Sequence, residues 1–129
     1  MKSHLSRTFL ISALLATGFA VANAHTRVDE VWTCTINDGK TMEEFQATNL
    51  KWVQFLNAHV EGGDIHSYIA TPVVGAQGQF VGIDSFPSMA SWTAHKALLE
   101  KPEGRELMAA FEKVSTCSSN SLYSVAETE

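Results

Sequence analysis

Basic residues are scarce in this chain, and the scarcity removes a class of partners. Nine Lys and Arg stand against 14 Asp and Glu. The cations are scattered, with no cluster through which counterion release could act, so neither nucleic acid nor an anionic membrane surface is expected as a partner. Catalytic signatures are missing as well. There is no H-E-x-x-H, nucleophile elbow, phosphate loop or dinucleotide fingerprint, which argues against hydrolase and nucleotide-dependent chemistry. No ligand spacing implies a metal and no motif implies a cofactor. Cysteine is limited to Cys34 and Cys117, with no C-x-x-C of redox or metal type. Beyond Val21, no apolar run approaches the roughly 20 residues that span a bilayer.

What is present begins with a three-part leader. Lys2 and Arg7 precede an apolar run from Phe9 to Val21, and Ala22-Asn23-Ala24 closes it as an A-x-A cleavage site. Residues 1–24 are therefore expected to be a secretory signal peptide, and the mature protein to be periplasmic or secreted. Residues 25–129 remain, 105 residues with 7 cations against 14 acids and a formal charge of −7. At 45% hydrophobic and 18% charged the composition is that of an ordinary globular chain, long enough for one modest domain. Two cysteines in an oxidising compartment point to one disulfide, with two separate buried thiols as the alternative. Cleavage would also make His25 the N-terminal residue, whose amine and imidazole suit copper. A second histidine would be needed from His59, His66 or His95, and spacing ties none of these to it.

The pattern of elements is readable along the chain. Val28 to Ile36 is rich in β-branched and aromatic residues and runs into the turn Asn37-Asp38-Gly39, so it reads as a first strand. Thr41-Met42-Glu43-Glu44 is a capping box, after which Met42, Phe45, Asn49, Trp52, Val53, Leu56 and Val60 recur at helical spacing up to Gly62-Gly63. His66 to Val74 reads as a second strand, placed at a sheet edge by Pro72, which cannot donate to a ladder. Phe80 to Phe86 is the third strand, the least polar and therefore central. Ser88 can cap a second helix, in which Trp92, His95, Lys96 and Leu99 share one face. Pro102 starts a further helical piece containing Leu107, Ala110, Phe111 and Val114. Ser115 to Val125 is extended and Ser-rich, as suits a solvated edge strand.

A β-α-β-β-α-β order of this length predicts an α+β, ferredoxin-like domain over residues 25–129: a four-stranded antiparallel sheet with the helices on one face. That plan puts strands one and three in the centre and the two weaker strands at the edges. It also pairs the end of strand one with the start of strand four, where Cys34 and Cys117 lie. A disulfide closing that loop of roughly 80 residues would stabilise by about 4 kcal/mol on the chain-entropy argument.

With helices on one face, the second face is not plainly polar. Thr33 and Thr35 sit beside Val31, while Phe80, Gly82 and Phe86 share a side with Asp84. Val31, Phe80 and Phe86 are expected on the uncovered face, where another surface would cover them. Here the chain resembles the dimeric α/β barrel superfamily, and more loosely its antibiotic biosynthesis monooxygenase-like branch. The segment that carries the likeness is Asp84-Ser85-Phe86-Pro87-Ser88-Met89-Ala90-Ser91-Trp92-Thr93-Ala94-His95-Lys96, a strand running into a helix that bears a Trp and then an Ala-His pair. The resemblance implies a homodimer packed sheet to sheet. It also implies a range of activities from cofactor-free oxygenases and haem-handling proteins to lyases and cyclases.

Among single residues, Asp84 is an acid inside the most apolar strand, where a carboxylate is costly unless solvated, paired or protonated. It is read either as a general base with a raised pKa or as a group in a wet groove or capping the next helix. His66 and Tyr68 alternate onto one face of strand two and are candidates to join it as proton carrier and hydroxyl donor. Asn49 interrupts the apolar stripe of the first helix and needs a polar partner. Together with Thr33, Phe80 and His95 it forms the candidate ligand-binding set. Trp52 and Trp92 sit at core spacing and read as structural. Two function classes fit: a protein that binds a small apolar molecule, haem included, without catalysis, or a cofactor-independent monooxygenase, isomerase or cyclase acting on one. The first is favoured here because spacing fixes no acid/base pair. The ligand is expected between the open sheet face and the dimer mate.

Overall fold

The computed structural model describes residues 26–128; the expected signal peptide over residues 1–24 and His25 lie outside them. Seven elements follow in order: β1 (Thr26–Ile36), α1 (Met42–His59), β2 (His66–Ala70), β3 (Phe80–Phe86), α2 (Met89–Leu98), α3 (Pro102–Val114) and β4 (Ser115–Ala126). The α1 capping box forms as its residues predict: the Glu44 amide donates to Thr41 Oγ1 at 3.2 Å, and the Thr41 amide donates to Glu44 Oε2 at 2.9 Å. Phe45, Trp52, Phe55 and Leu56 then turn one stripe of α1 inward. Ser88 caps α2 by accepting from the Ser91 amide, and Pro102 opens α3. Gly104 sits where α3 passes over the end of α2, and a Cβ there would collide with the Leu98 carbonyl oxygen.

The second strand is shorter than the sequence pattern suggests. Pairing with β3 runs only from His66 to Ala70, and residues 71–79 form a loop instead. Pro72 has no N–H for the ladder, and beyond it Val73 and Val74 are almost wholly exposed.

The four strands form one antiparallel sheet ordered β2-β3-β1-β4, with the two weaker strands at its edges. Register decides which side chains share a face. Val28 opposes Phe86, Glu30 opposes Asp84, Trp32 opposes Gly82 and Cys34 opposes Phe80, whereas Val31 opposes Ile83. The even-numbered residues of β1 and β3 therefore lie under the helices. This corrects the expectation that Phe80 and Phe86 belong to the open face with Val31: both rings are essentially fully buried in the helix-side core, because antiparallel pairing puts them a half-repeat away from Val31. One cluster packs Val28, Trp52, Phe55, Leu56, Val60, Ile65 and Phe86; a second packs Cys34, Phe45, Phe80 and Val114.

Cys34 and Cys117 are directly opposed in β1 and β4 and form a disulfide. Immediately beyond it the register shifts between Thr33 and Cys34, because Thr33 pairs with Ser119 while Cys34 pairs with Cys117. Ser118 is the extra residue of a β-bulge. Uninterrupted pairing would set Asn120 opposite Val31 on the open face; the bulge sets it opposite Trp32, on the helix side.

Candidate functional site

Between the sheet and the helices lies a cavity of about 370 Å³, whose walls include Trp32, Phe45, Leu99, Met108 and Phe111 and whose polar groups include Asn49, Asp84, Glu30, His95 and Lys96. A row of residues crosses the sheet beneath it. Ser67 on β2, Asp84 on β3 and Glu30 on β1 are successive cross-strand partners on the helix-covered face.

Asp84 is held by two donors. Ser67 Oγ lies 2.6 Å from Oδ1, and the Trp52 indole N–H donates to Oδ2 at 2.8 Å. Asn49 completes the cluster, its Nδ2 donating to Ser67 Oγ at 2.9 Å and its Oδ1 lying 3.2 Å from the same hydroxyl. Burial pushes the Asp84 carboxyl above the ordinary carboxylate range; the bonds from Ser67 and Trp52 oppose that, the negative charge of Glu30 adds to it and Lys96 offsets part. The result is a carboxyl that faces a largely apolar cavity and whose neutral form is favoured relative to that of an exposed aspartate.

Glu30 is a different kind of carboxylate. Only 3% exposed, it accepts from Lys96 Nζ at 2.9 Å and Asn120 Nδ2 at 3.0 Å on Oε1, and from the Trp92 indole N–H at 3.0 Å on Oε2. Trp92, His95 and Lys96 reach it from one face of α2, the face that their spacing predicts. Lys96 also lies over the Trp92 ring, 4.9 Å from its centroid. His95 is buried and stacked on Phe86 at 4.7 Å. Burial lowers its pKa, with the Trp92 carbonyl and the Glu30 charge opposing and Lys96 adding to the shift, and its Nε2 lies 3.5 Å from Glu30 Oε2.

Not every residue singled out from sequence comes to this place. Asp84, Asn49 and His95 line the cavity. His66 and Tyr68 do not join Asp84: they alternate with Ser67 and so stand on the opposite face, both exposed, with His66 Nε2 3.1 Å from Asp64 Oδ1. Thr33 is on that open face too. Phe80 is buried against Phe45, ring centroids 4.5 Å apart, and serves the core. Trp52 and Trp92, read as structural, each direct an indole N–H to a carboxylate. Glu30, Ser67, Lys96 and Asn120 were not singled out. For Glu30 a signal was available: it interrupts Val28, Trp32 and Cys34 on one face of β1 as Asp84 interrupts Phe80, Gly82 and Phe86 on β3. Among the described residues no group of three or more His, Cys, Asp or Glu side chains converges as a metal site.

No family sequence model matches the chain, and no curated protein sequence matches it. Solved structures do. SnoaB, a cofactor-independent oxygenase from Streptomyces nogalater, aligns with a TM-score of 0.59 at 16% identity over 79% of this chain and 95% of its own. A NIPSNAP family protein of unknown function from Agrobacterium tumefaciens gives 0.58 at 14% identity over 81% and 93%. The hydroxynitrile lyase of Passiflora edulis gives 0.50 at 13% identity over 80% and 94%. Identities this low speak for the fold and leave the chemistry to the site. With its β2-β3-β1-β4 sheet and helices on one face, the chain has the ferredoxin-like fold that these structures share.

Proposed function

We propose that this protein is an exported homodimeric enzyme that binds a small, largely apolar molecule between sheet and helices and moves a proton to or from it through Asp84. The observation that carries the reading is one residue in one place: a carboxyl with a raised pKa in the wall of an apolar cavity, already bonded to Ser67 and Trp52. A carboxylate there can take a proton from an acidic C–H or O–H of the ligand, leaving the electron pair on the ligand, and return it as the acid. That step is common to a cofactor-independent oxygenase, in which the ligand anion would meet dioxygen, and to an isomerase or cyclase. A non-catalytic binder would not require a perturbed acid beside the ligand, so the geometry favours the enzyme. This reading puts the ligand on the helix-covered face rather than between the open sheet face and a dimer mate.

Dimerisation would use the open face. Val31, Val81 and Ile83 are half-buried there and Tyr68, Tyr123 and Val125 are exposed, an apolar surface that a lone sheet leaves to water. Asp29 Oδ1 is buried on the same face without a hydrogen-bond partner. Sedimentation at micromolar concentration is expected to give a dimer, and a clean monomer would remove this part of the proposal. The disulfide accords with an oxidising compartment, and intact mass of the exported protein should begin at His25.

The function itself is tested by thermal shift with small apolar hydroxy- and oxo-compounds, quinones and haem, each hit then being followed for turnover. At least one compound should raise the melting temperature of the wild type, and filling the cavity by Gly82→Leu should abolish that shift. A hit whose shift survives Gly82→Leu would place the binding elsewhere.

A further inference from the structure

Ser67 presents an unusual choice of partners. Its oxygen lies 2.6 Å from Asp84 Oδ1, 2.9 Å from Asn49 Nδ2 and 3.2 Å from Asn49 Oδ1. A hydroxyl has one proton to give, so it cannot donate to Asp84 and to Asn49 Oδ1 together. Two arrangements keep both Asp84 and Ser67 bonded and use one end of the Asn49 amide each. With Asp84 ionised, Asn49 Nδ2 donates to Ser67 and Ser67 donates to Asp84 Oδ1. With Asp84 protonated on Oδ1, the acid donates to Ser67 and Ser67 donates to Asn49 Oδ1. The Asn49 amide need not turn over, because its nitrogen and its oxygen are both within reach. Trp52 stays with Oδ2 in either state, and since an indole N–H can only donate, the acid proton belongs on Oδ1.

We infer that Ser67 and Asn49 form a two-way hydrogen-bond relay that keeps Asp84 partnered both as carboxylate and as carboxylic acid, so that a change of protonation requires only the rotation of one hydroxyl hydrogen. The inference rests on the proton-carrier reading of Asp84 and assigns Ser67 a role as its positioning residue. A donor that could only give would favour the ionised form alone, and an acceptor the neutral form alone; a group that alternates suits an acid that must be both in one cycle. The other groups facing this end of the cavity do not alternate in this way. Glu30 on β1 is tied to Lys96, Trp92 and Asn120, His95 on α2 points Nδ1 to the Trp92 carbonyl, and Glu112 on α3 lines the cavity without a bond to Asp84.

Both ends of the relay carry N–H groups that report on it. In ¹H–¹⁵N spectra of the mature protein recorded against pH, the Trp52 indole N–H, assigned by Trp52→Phe, should titrate with Asp84, and the signal should stop titrating in Asp84→Asn. The Asn49 side-chain amide should titrate with the same midpoint, because its nitrogen loses an acceptor when Ser67 reverses. Ser67→Ala should leave Trp52 titrating, while the Asn49 amide stops responding. Ser67→Thr, which keeps the hydroxyl, should restore the Asn49 response. If Trp52 titrates and Asn49 does not, in the wild type, the relay is wrong and the reading of Asp84 survives. If Trp52 does not titrate above the ordinary carboxylate range, both fall. The wild-type comparison alone decides should Ser67→Ala fail to fold.

Discussion

Asp84→Asn is expected to retain the ligand that shifts the melting of the wild type and to turn it over at least about 100-fold more slowly, the usual effect of losing a general acid/base. The amide keeps the shape of the carboxyl and can still accept from Trp52, so the loss would come from the missing proton exchange. Stability should move the other way. Because burial raises the Asp84 pKa in the folded state, folding is favoured while the group is protonated, and that advantage disappears as pH rises from the ordinary carboxylate value through the folded one. The wild type should therefore lose stability relative to Asp84→Asn as pH increases, as measured by denaturant titrations at several values from about pH 4 to 8. A variant that is destabilised throughout, with ligand binding and turnover unaltered, would make Asp84 a structural residue.

Lys96→Met should be the most destabilising single change in the site, by about 3 to 5 kcal/mol, because it strands a buried carboxylate. Glu30 has only 4% of its side chain exposed, whereas Lys96 has 37%. Loss of the lysine leaves Glu30 with Trp92 and Asn120 as donors but no cation. The reverse change, Glu30→Gln, should cost less, since the ammonium can turn to water. In the double variant the two losses should not add: with both charges gone, more than half of the Lys96→Met loss should return. Equal losses for the two single changes, adding fully in the double, would mean that the pair is not coupled.

The sequence carried the element order, the capping box, the Pro102 break and the edge positions of β2 and β4, because each has a local cause: a side-chain cap, a missing N–H, an apolar period. It was less informative about faces. Each strand alternates unambiguously, but which half of β1 shares a side with which half of β3 depends on register, and register is set by partners more than 50 residues away, as in Val28 with Phe86 and Glu30 with Asp84. Asp84 stood out because an acid in an apolar strand is conspicuous anywhere. Its supporting groups did not, since a serine on an edge strand and a tryptophan on a helix stripe have ordinary reasons to be there. Asn120 was the least accessible to sequence reasoning: its face depends on the bulge at Ser118, and nothing in the run Ser115 to Ser121 distinguishes one serine as the extra residue.

The most direct test of the proton-carrier reading is a ¹³C NMR titration of the aspartate side-chain carboxyls, with Asp84 assigned by the signal missing from Asp84→Asn. Of Asp29, Asp38, Asp64 and Asp84, the account predicts that Asp84 titrates above the ordinary value of 3.8 and that Asp64, held by Arg27 and His66, titrates below it. An Asp84 midpoint at or below 3.8 would mean that the carboxyl is ionised at every working pH and has no proton to return.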